Sequence, residues 1–178
     1  MRKIVSGLFI SLDGVIEDAN SWMGPWFNGQ LGQAVGTMIA SQDTMLIGRV
    51  TYDEFAAHWP HQEGDIADTM NGTTKYVVSD TLDTAGWQNT TVIRGDVVAE
   101  VSALKEQDGK NIGITGSATL VSYLLHHGLV DELHLFVIPV VIGSGKRLFR
   151  DGDDKLPLKV LSSETFETGV IHVSYANA

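Results

Sequence analysis

Apolar and polar positions alternate along this chain in two rhythms. Short apolar runs bounded by turn residues predict strands over 3–11 (KIVSGLFIS), 44–48 (TMLIG), 75–79 (KYVVS), 90–95 (TTVIRG) and 111–115 (NIGIT). Between them the period lengthens. Helices are predicted over 30–41, over 49–59 with Pro60 closing it, over 97–107 and over 117–128. In the last of these Leu120, Val121, Leu124 and Leu125 form one stripe, and Gly128 suits the residue after a helix end. Residues 61–74, polar and with two glycines, read as a mobile excursion. The tail differs: 131–143 reads as a long strand with a break at Pro139, and 158–176 as a hairpin turning at Thr168-Gly169. Strands alternating with helices imply a mostly parallel sheet covered on both faces, and the tail implies antiparallel strands at one edge. With no repeat or linker, 1–178 reads as a single domain.

Composition narrows the possible functions. Hydrophobic residues are 43% and charged residues 19%, a globular balance. No apolar run approaches the roughly 18 residues of a membrane span. The opening MRKIVSGLFISLDG has the basic start of a signal peptide. Ser6, Gly7 and Ser11 interrupt its apolar part and no cleavage pattern follows, so it reads as a buried strand. Cysteine is absent, which excludes disulfides, thiolate nucleophiles and cysteine-based metal sites, and points to an intracellular, cytoplasmic protein. A net charge of −10 argues against nucleic-acid or anionic-membrane partners. Any bound phosphate must then be held by local geometry.

Two strand-to-helix turns offer such geometry. In ITGSATLVSYLL, Gly116 permits a tight turn and Ser117 is a good N-cap, so local rules alone explain the helix; its free amides could also take a phosphate. In LIGRVTYDEF, Arg49 opens a helix, where a cation is unfavourable unless an anion is near. Asp53 or Glu54 could relieve it, and so could a bound phosphate. Gly48 removes a side chain from the approach and Thr51 adds a hydroxyl. Both turns leave their strands at the carboxyl end, where open parallel sheets bind ligands. GSGKR at 143–147 is no P-loop: Val140 stands where the first glycine belongs and Arg147 where Ser or Thr should hold magnesium. His58-x-x-His61 has Pro60 between its histidines and no third ligand in sight, and DGDD at 151–154 lacks the calcium-loop spacing, so no metal is expected.

Asp13 ends the first strand on that same rim. It could donate or orient a proton, bond sugar hydroxyls, or simply close a Ser-Leu-Asp-Gly turn on its own backbone. Trp22, Trp26 and Phe27 follow in a loop, and cover either a core edge or a ligand ring.

The combination and order of SLDGVI (11–16), LIGRVTYDEF (46–55), KYVVSDTL (75–82), ITGSATLVSYLLHHGLVDEL (114–133) and PVVIGSGKRLF (139–149) resemble the dihydrofolate reductase-like reductases. Within them, the likeness is to the C-terminal domain of the riboflavin-pathway deaminase–reductase and its stand-alone relatives. The resemblance implies a three-layer αβα fold and an NADPH-dependent reductase of a small pyrimidine- or pteridine-like heterocycle, working as a homodimer. By resemblance, Gly48, Arg49 and Thr51 would hold the diphosphate and adenosine-phosphate side, and Ser79 and Thr81 would meet the ribose or its 2′-phosphate. Gly116, Ser117, Ala118 and Thr119 would close over the diphosphate, with Asp13 and the loop aromatics near the substrate. Three departures qualify this. NGQLGQAVGTMIASQ carries no acid, so folate reduction is not expected. Asp80 stands where relatives often carry a base, which leaves NADH open as the cofactor, and no cysteine-bearing deaminase domain is present. The rival expectation is a nucleotide-binding module of the same fold that lost catalysis and serves regulation or assembly.

Overall fold

A computed structural model describes residues 1–178. In chain order the elements are β1 (Ile4–Ser11), α1 (Ala19–Trp22), α2 (Gly29–Ala40), β2 (Gln42–Gly48), α3 (Arg49–His58), α4 (Asp65–Gly72), β3 (Thr74–Val78) and β4 (Thr90–Ile93). They continue as α5 (Val97–Glu106), β5 (Asn111–Thr115), α6 (Ala118–His126), β6 (Glu132–Ile138), β7 (Leu158–Thr165) and β8 (Ile171–Asn177). All eight strands form one sheet in the order β4-β3-β2-β5-β1-β6-β8-β7. Its first six strands run parallel; β8 and β7 close it antiparallel, as the tail's alternation implied.

Side-chain alternation splits the core into layers. Ile4, Leu8, Leu46, Ile112 and Leu133 face α5 and α6, whose Val101, Leu104, Val121 and Leu124 complete a cluster of 19 buried residues. The opposite face carries α2 over Phe136 and Ile138, and α3 over Met45, Ile47 and Val77. Helices on both faces of one sheet make three layers.

Three expectations need correction. The polar excursion 61–74 contains α4, a helix with Asp65 and Asp68 in its first turn, favourable for the helix dipole, and Ala67 buried. The long tail strand stops at Ile138: Pro139 has no N–H for the ladder, and 139–149 folds back over the end of β1 instead. Ser117 sits at the first-cap position of α6 but caps nothing with its side chain.

Candidate functional site

Adjacent strands β2 and β5 send their helices to opposite faces of the sheet, α3 to one and α6 to the other. Neighbouring strands whose connections part in this way leave a crevice at their carboxyl ends. Here the crevice is a cleft of about 440 Å³ lined by Gly48, Arg49 and Thr51 from one turn and Gly116, Ser117, Ala118 and Thr119 from the other.

The two turns are tied to each other. Gly116 and Ser117 are both left-handed, with φ of +59° and +55°, a conformation costly for serine. It carries the Ser117 hydroxyl away from its own helix and across to β2. There the hydroxyl accepts a hydrogen bond from the Gly48 amide at 2.8 Å and donates to Thr51 Oγ1 at 2.9 Å. A β-carbon at Gly48 would fall 3.3 Å from the Ser117 hydroxyl, a tight contact that glycine avoids. Arg49 opens α3 and its Nε donates to both Asp53 carboxylate oxygens at 2.9 Å, one turn on. Its guanidinium also reaches Thr81 Oγ1 at 3.3 Å. The pair is largely exposed, so it holds Arg49 loosely.

Asp13 is engaged on all sides. Its carboxylate accepts from Ser11 Oγ at 2.6 Å, from the Ile142 amide at 3.0 Å and from the Gly143 amide at 2.8 Å. Arg147 stands 3.6 Å away and its Nε donates to the Asp13 carbonyl. The Ser11 hydroxyl, then the two amides, hold this carboxyl well below the ordinary carboxylate range. An acid so held carries no proton to give near neutral pH. What it does is fasten 139–149 over β1, helped by Ile16 donating to the Lys146 carbonyl and Leu148 to the Gly14 carbonyl. This fastening puts Lys146 on the cleft wall opposite α3, beside Ile16, Glu17 and Asp18.

Residues 2–172 match the model of the RibD C-terminal domain. The chain belongs to that family. An uncharacterized protein of Bacillus subtilis (strain 168), YyaP, is 32% identical over 179 residues, covering 98% of this chain and 94% of its own. Among solved structures, a Shewanella sp. PV-4 protein assigned to riboflavin biosynthesis superposes with a TM-score of 0.78 at 21% identity, over 99% of both chains. Dihydrofolate reductase from Enterococcus faecalis, solved with NADP(H), does so with a TM-score of 0.66 at 15% identity, over 98% of this chain and 96% of its own. The fold is thus that of the dihydrofolate reductase-like reductases.

In this RibD-type domain the other sequence-predicted residues fall in three places. Ser79 shapes the turn after β3, its hydroxyl accepting from the Thr81 and Leu82 amides; with Thr81 it stands next to the cleft rather than on its wall. Trp22 and Trp26 pack against the Leu31–Phe136 cluster and seal that core edge, while Phe27 stays half exposed above Gly32. Neither the cleft nor the adjoining slot has these aromatics on its wall.

Three features had no sequence reading. One is Lys146, a cation on the cleft wall inside a motif that fails as a P-loop. Another is an apolar slot of about 310 Å³ continuing from the cleft between Val78, Val97, Leu120 and Tyr123. The third is a hollow of about 120 Å³ beneath α2, bounded by Phe9, Val35, Met38 and Phe136, with the Gln42 amide and Thr115 hydroxyl as its polar side-chain groups. Its floor is Gly7, where the Met38 methyl occupies the space a β-carbon would fill.

Asp13→Asn is expected to loosen 139–149, because an amide nitrogen placed against two backbone N–H donors removes acceptors the loop needs. Hydrogen exchange of 140–148 should quicken in the variant. Since the folded chain holds this carboxylate ionised more strongly than the unfolded chain does, its contribution to stability is complete above pH ~4 and declines as pH falls from there toward the lowered folded value. Exchange unchanged at neutral pH would remove Asp13 from this task.

Proposed function

We propose that this chain is an NADPH-dependent reductase delivering hydride to a small heterocycle of the pyrimidine or pteridine kind, in or beside riboflavin biosynthesis. The observation that carries the reading is the contact of the two turns through Ser117, which sets both helix starts on one cleft. Two helix N-termini, the hydroxyls of Thr51 and Thr119 and the cation Lys146 suit a diphosphate, and Arg49, which borders both cleft and slot, suits the 2′-phosphate. The apolar slot suits a flat purine. When bound, the nicotinamide supplies the hydride. The chain's own share is position: α2 covers the hollow above Gly7 and Thr115, and Asp13 keeps 139–149 in place, with Lys146 on the cleft wall. The hollow has no carboxylate on its wall, which suits a neutral ring better than a protonated one. We place the enzyme in the cytoplasm, as a homodimer.

Titrating NADPH while following tryptophan emission and thermal unfolding tests the binding half. Loss of reduced-nicotinamide absorbance with pyrimidine and pterin carbonyl compounds tests the chemical half. Binding without turnover on any of them would favour the nucleotide-binding module, and absence of binding would end both readings. Arg49→Ala is expected to weaken NADPH about tenfold and NADH by less, since a charge-assisted bond to the 2′-phosphate is lost with only one of them. Equal weakening would take Arg49 away from that phosphate.

A further inference from the structure

Two histidines meet on the face of the sheet that α2 covers. His134 of β6 and His172 of β8 lie diagonally across the β6–β8 pairing, with His134 Nδ1 and His172 Nε2 2.9 Å apart and the ring centres 5.2 Å apart. His134 Nε2 stands 3.2 Å from Glu132 Oε2, and the other oxygen of Glu132 accepts from Lys3 at 2.7 Å. The His172 ring stacks on Phe136 at 4.4 Å, and Phe136 belongs to the buried cluster that seats Leu31 of α2. A groove of about 280 Å³ between the two rings and Ala34, Thr37 and Met38 of α2 gives water access to the pair.

The hydrogens joining these groups can be counted. A carboxylate only accepts, so His134 Nε2 carries a hydrogen toward Glu132. A single hydrogen then lies between the two rings. In the neutral pair it belongs to His172 Nε2, and His134 Nδ1 accepts it. A proton arriving at the unbonded His172 Nδ1 lets the shared hydrogen pass to His134. The positive charge then settles beside Glu132, the buried ring stays neutral, and the bond between the rings survives. A second proton has no such place. Both facing nitrogens would carry hydrogen, with no acceptor between them and two cations in contact.

We propose that the His134–His172 pair is a proton-operated latch on α2: one proton leaves it closed, and a second drives the rings apart, lifts His172 from Phe136 and loosens α2 over the sheet. No neighbour relieves the second charge. Between Gly29 and Ala40, α2 has no ionisable side chain, and Lys110 reaches only its far end, at the Ala40 carbonyl. From β1 and β5 the groove receives Val5 and Asn111, both uncharged. Glu132 is already shared with Lys3, and Glu164 of β7, paired with His172, is exposed. Burial first, then the charge of His134, hold His172 below the ordinary histidine range, against the pull of Glu164. The unfolded chain therefore binds protons that the folded one refuses as pH falls below about 6.5, and the native state loses stability there. Phe136 also walls the hollow, so the latch that seats α2 keeps the hollow covered, whatever binds in it.

Nitrogen NMR of the imidazoles and hydrogen exchange of α2, on the full chain from about pH 7.5 down to about 4.5, test this above the range in which Asp13 loses its charge. The pair is expected to titrate in two steps about one pH unit or more apart, the first moving the His172 hydrogen from Nε2 to Nδ1. Across the second step the α2 amides should lose about tenfold in protection relative to those of α5. His172→Phe keeps a ring on Phe136 and removes the second charge, so its α2 protection should stay level. His134→Gln offers an amide oxygen to His172 Nε2 and leaves one titrating ring, so it should stay level too, and circular dichroism confirms that each variant is folded. Two rings that titrate independently, α2 protection that holds steady in the parent, or the same loss in either variant overturns the proposal.

Discussion

Gly116→Val is expected to abolish measurable NADPH binding while leaving a folded, less stable protein. At φ +59° an L-residue costs roughly 1–2 kcal/mol, and a β-branched one more. The new β-carbon would also lie 3.1 Å from Thr51 Oγ1 and 3.3 Å from its methyl. Thr51 is buried in the first turn of α3. The strain is relieved by moving the two helix starts apart, which breaks the Ser117 bridge to Gly48 and Thr51. Together these costs come to about 3 kcal/mol of folded-state stability, and binding is lost because the two helix starts no longer face one cleft. Gly116→Ala carries the backbone cost with less crowding and should lose less of both stability and binding. Isothermal titration of both variants with NADPH, beside their thermal unfolding, checks the order. Affinity within threefold of the parent for the valine variant would show that the bridged turns do not grip the cofactor.

This prediction depends on a contact that no local pattern announces. Gly48 and Ser117 are 69 residues apart, and each obeys a simpler rule where it stands. Serine before a helix reads as a cap, and in ordinary φ it would be one. Only the left-handed backbone at Ser117 frees its hydroxyl for β2. The strands and amphipathic helices were legible because burial imposes period two or 3.6 on any sequence. Helix α4 was not, since it buries just Ala67 and its apolar stripe is too thin to show. Residues 139–142 were apolar enough to pass for strand. Their fate was set by Asp13, whose carboxylate takes the amides of Ile142 and Gly143 that a ladder would have used. The site's parts could thus be named from the sequence, but the bonds joining them depend on tertiary neighbours.

Lys75, to which the sequence pattern assigns no role, carries the largest stability prediction. A lysine early in a strand reads as a solvated edge residue, yet this side chain is wholly buried. Its ammonium donates to the carbonyls of Met70 at 2.9 Å, Asn71 at 3.1 Å and Thr73 at 2.7 Å, and lies 4.2 Å from the centre of the Trp87 ring. It thereby closes the carboxyl end of α4, where the helix dipole favours a cation. Lys75→Met keeps the volume and takes the donor from the carbonyls of Met70 and Thr73, while that of Asn71 keeps the side-chain amides of Gln88 and Asn89. The expected loss is about 3 kcal/mol, or roughly 6–12 °C in Tm for a domain of this size. The pH dependence separates burial from the bonds. Burial pushes the ammonium down to about 8, below its unfolded value of 10.5. Between those values the unfolded chain binds more protons, so the native chain gains stability with rising pH, and the methionine variant lacks that gain. Denaturant unfolding of both proteins from pH 7 to pH 10 should show the gap between them widening above pH 8. A gap that narrows instead would mean that the charged form is the one the fold prefers, with the carbonyls and Trp87 outweighing burial.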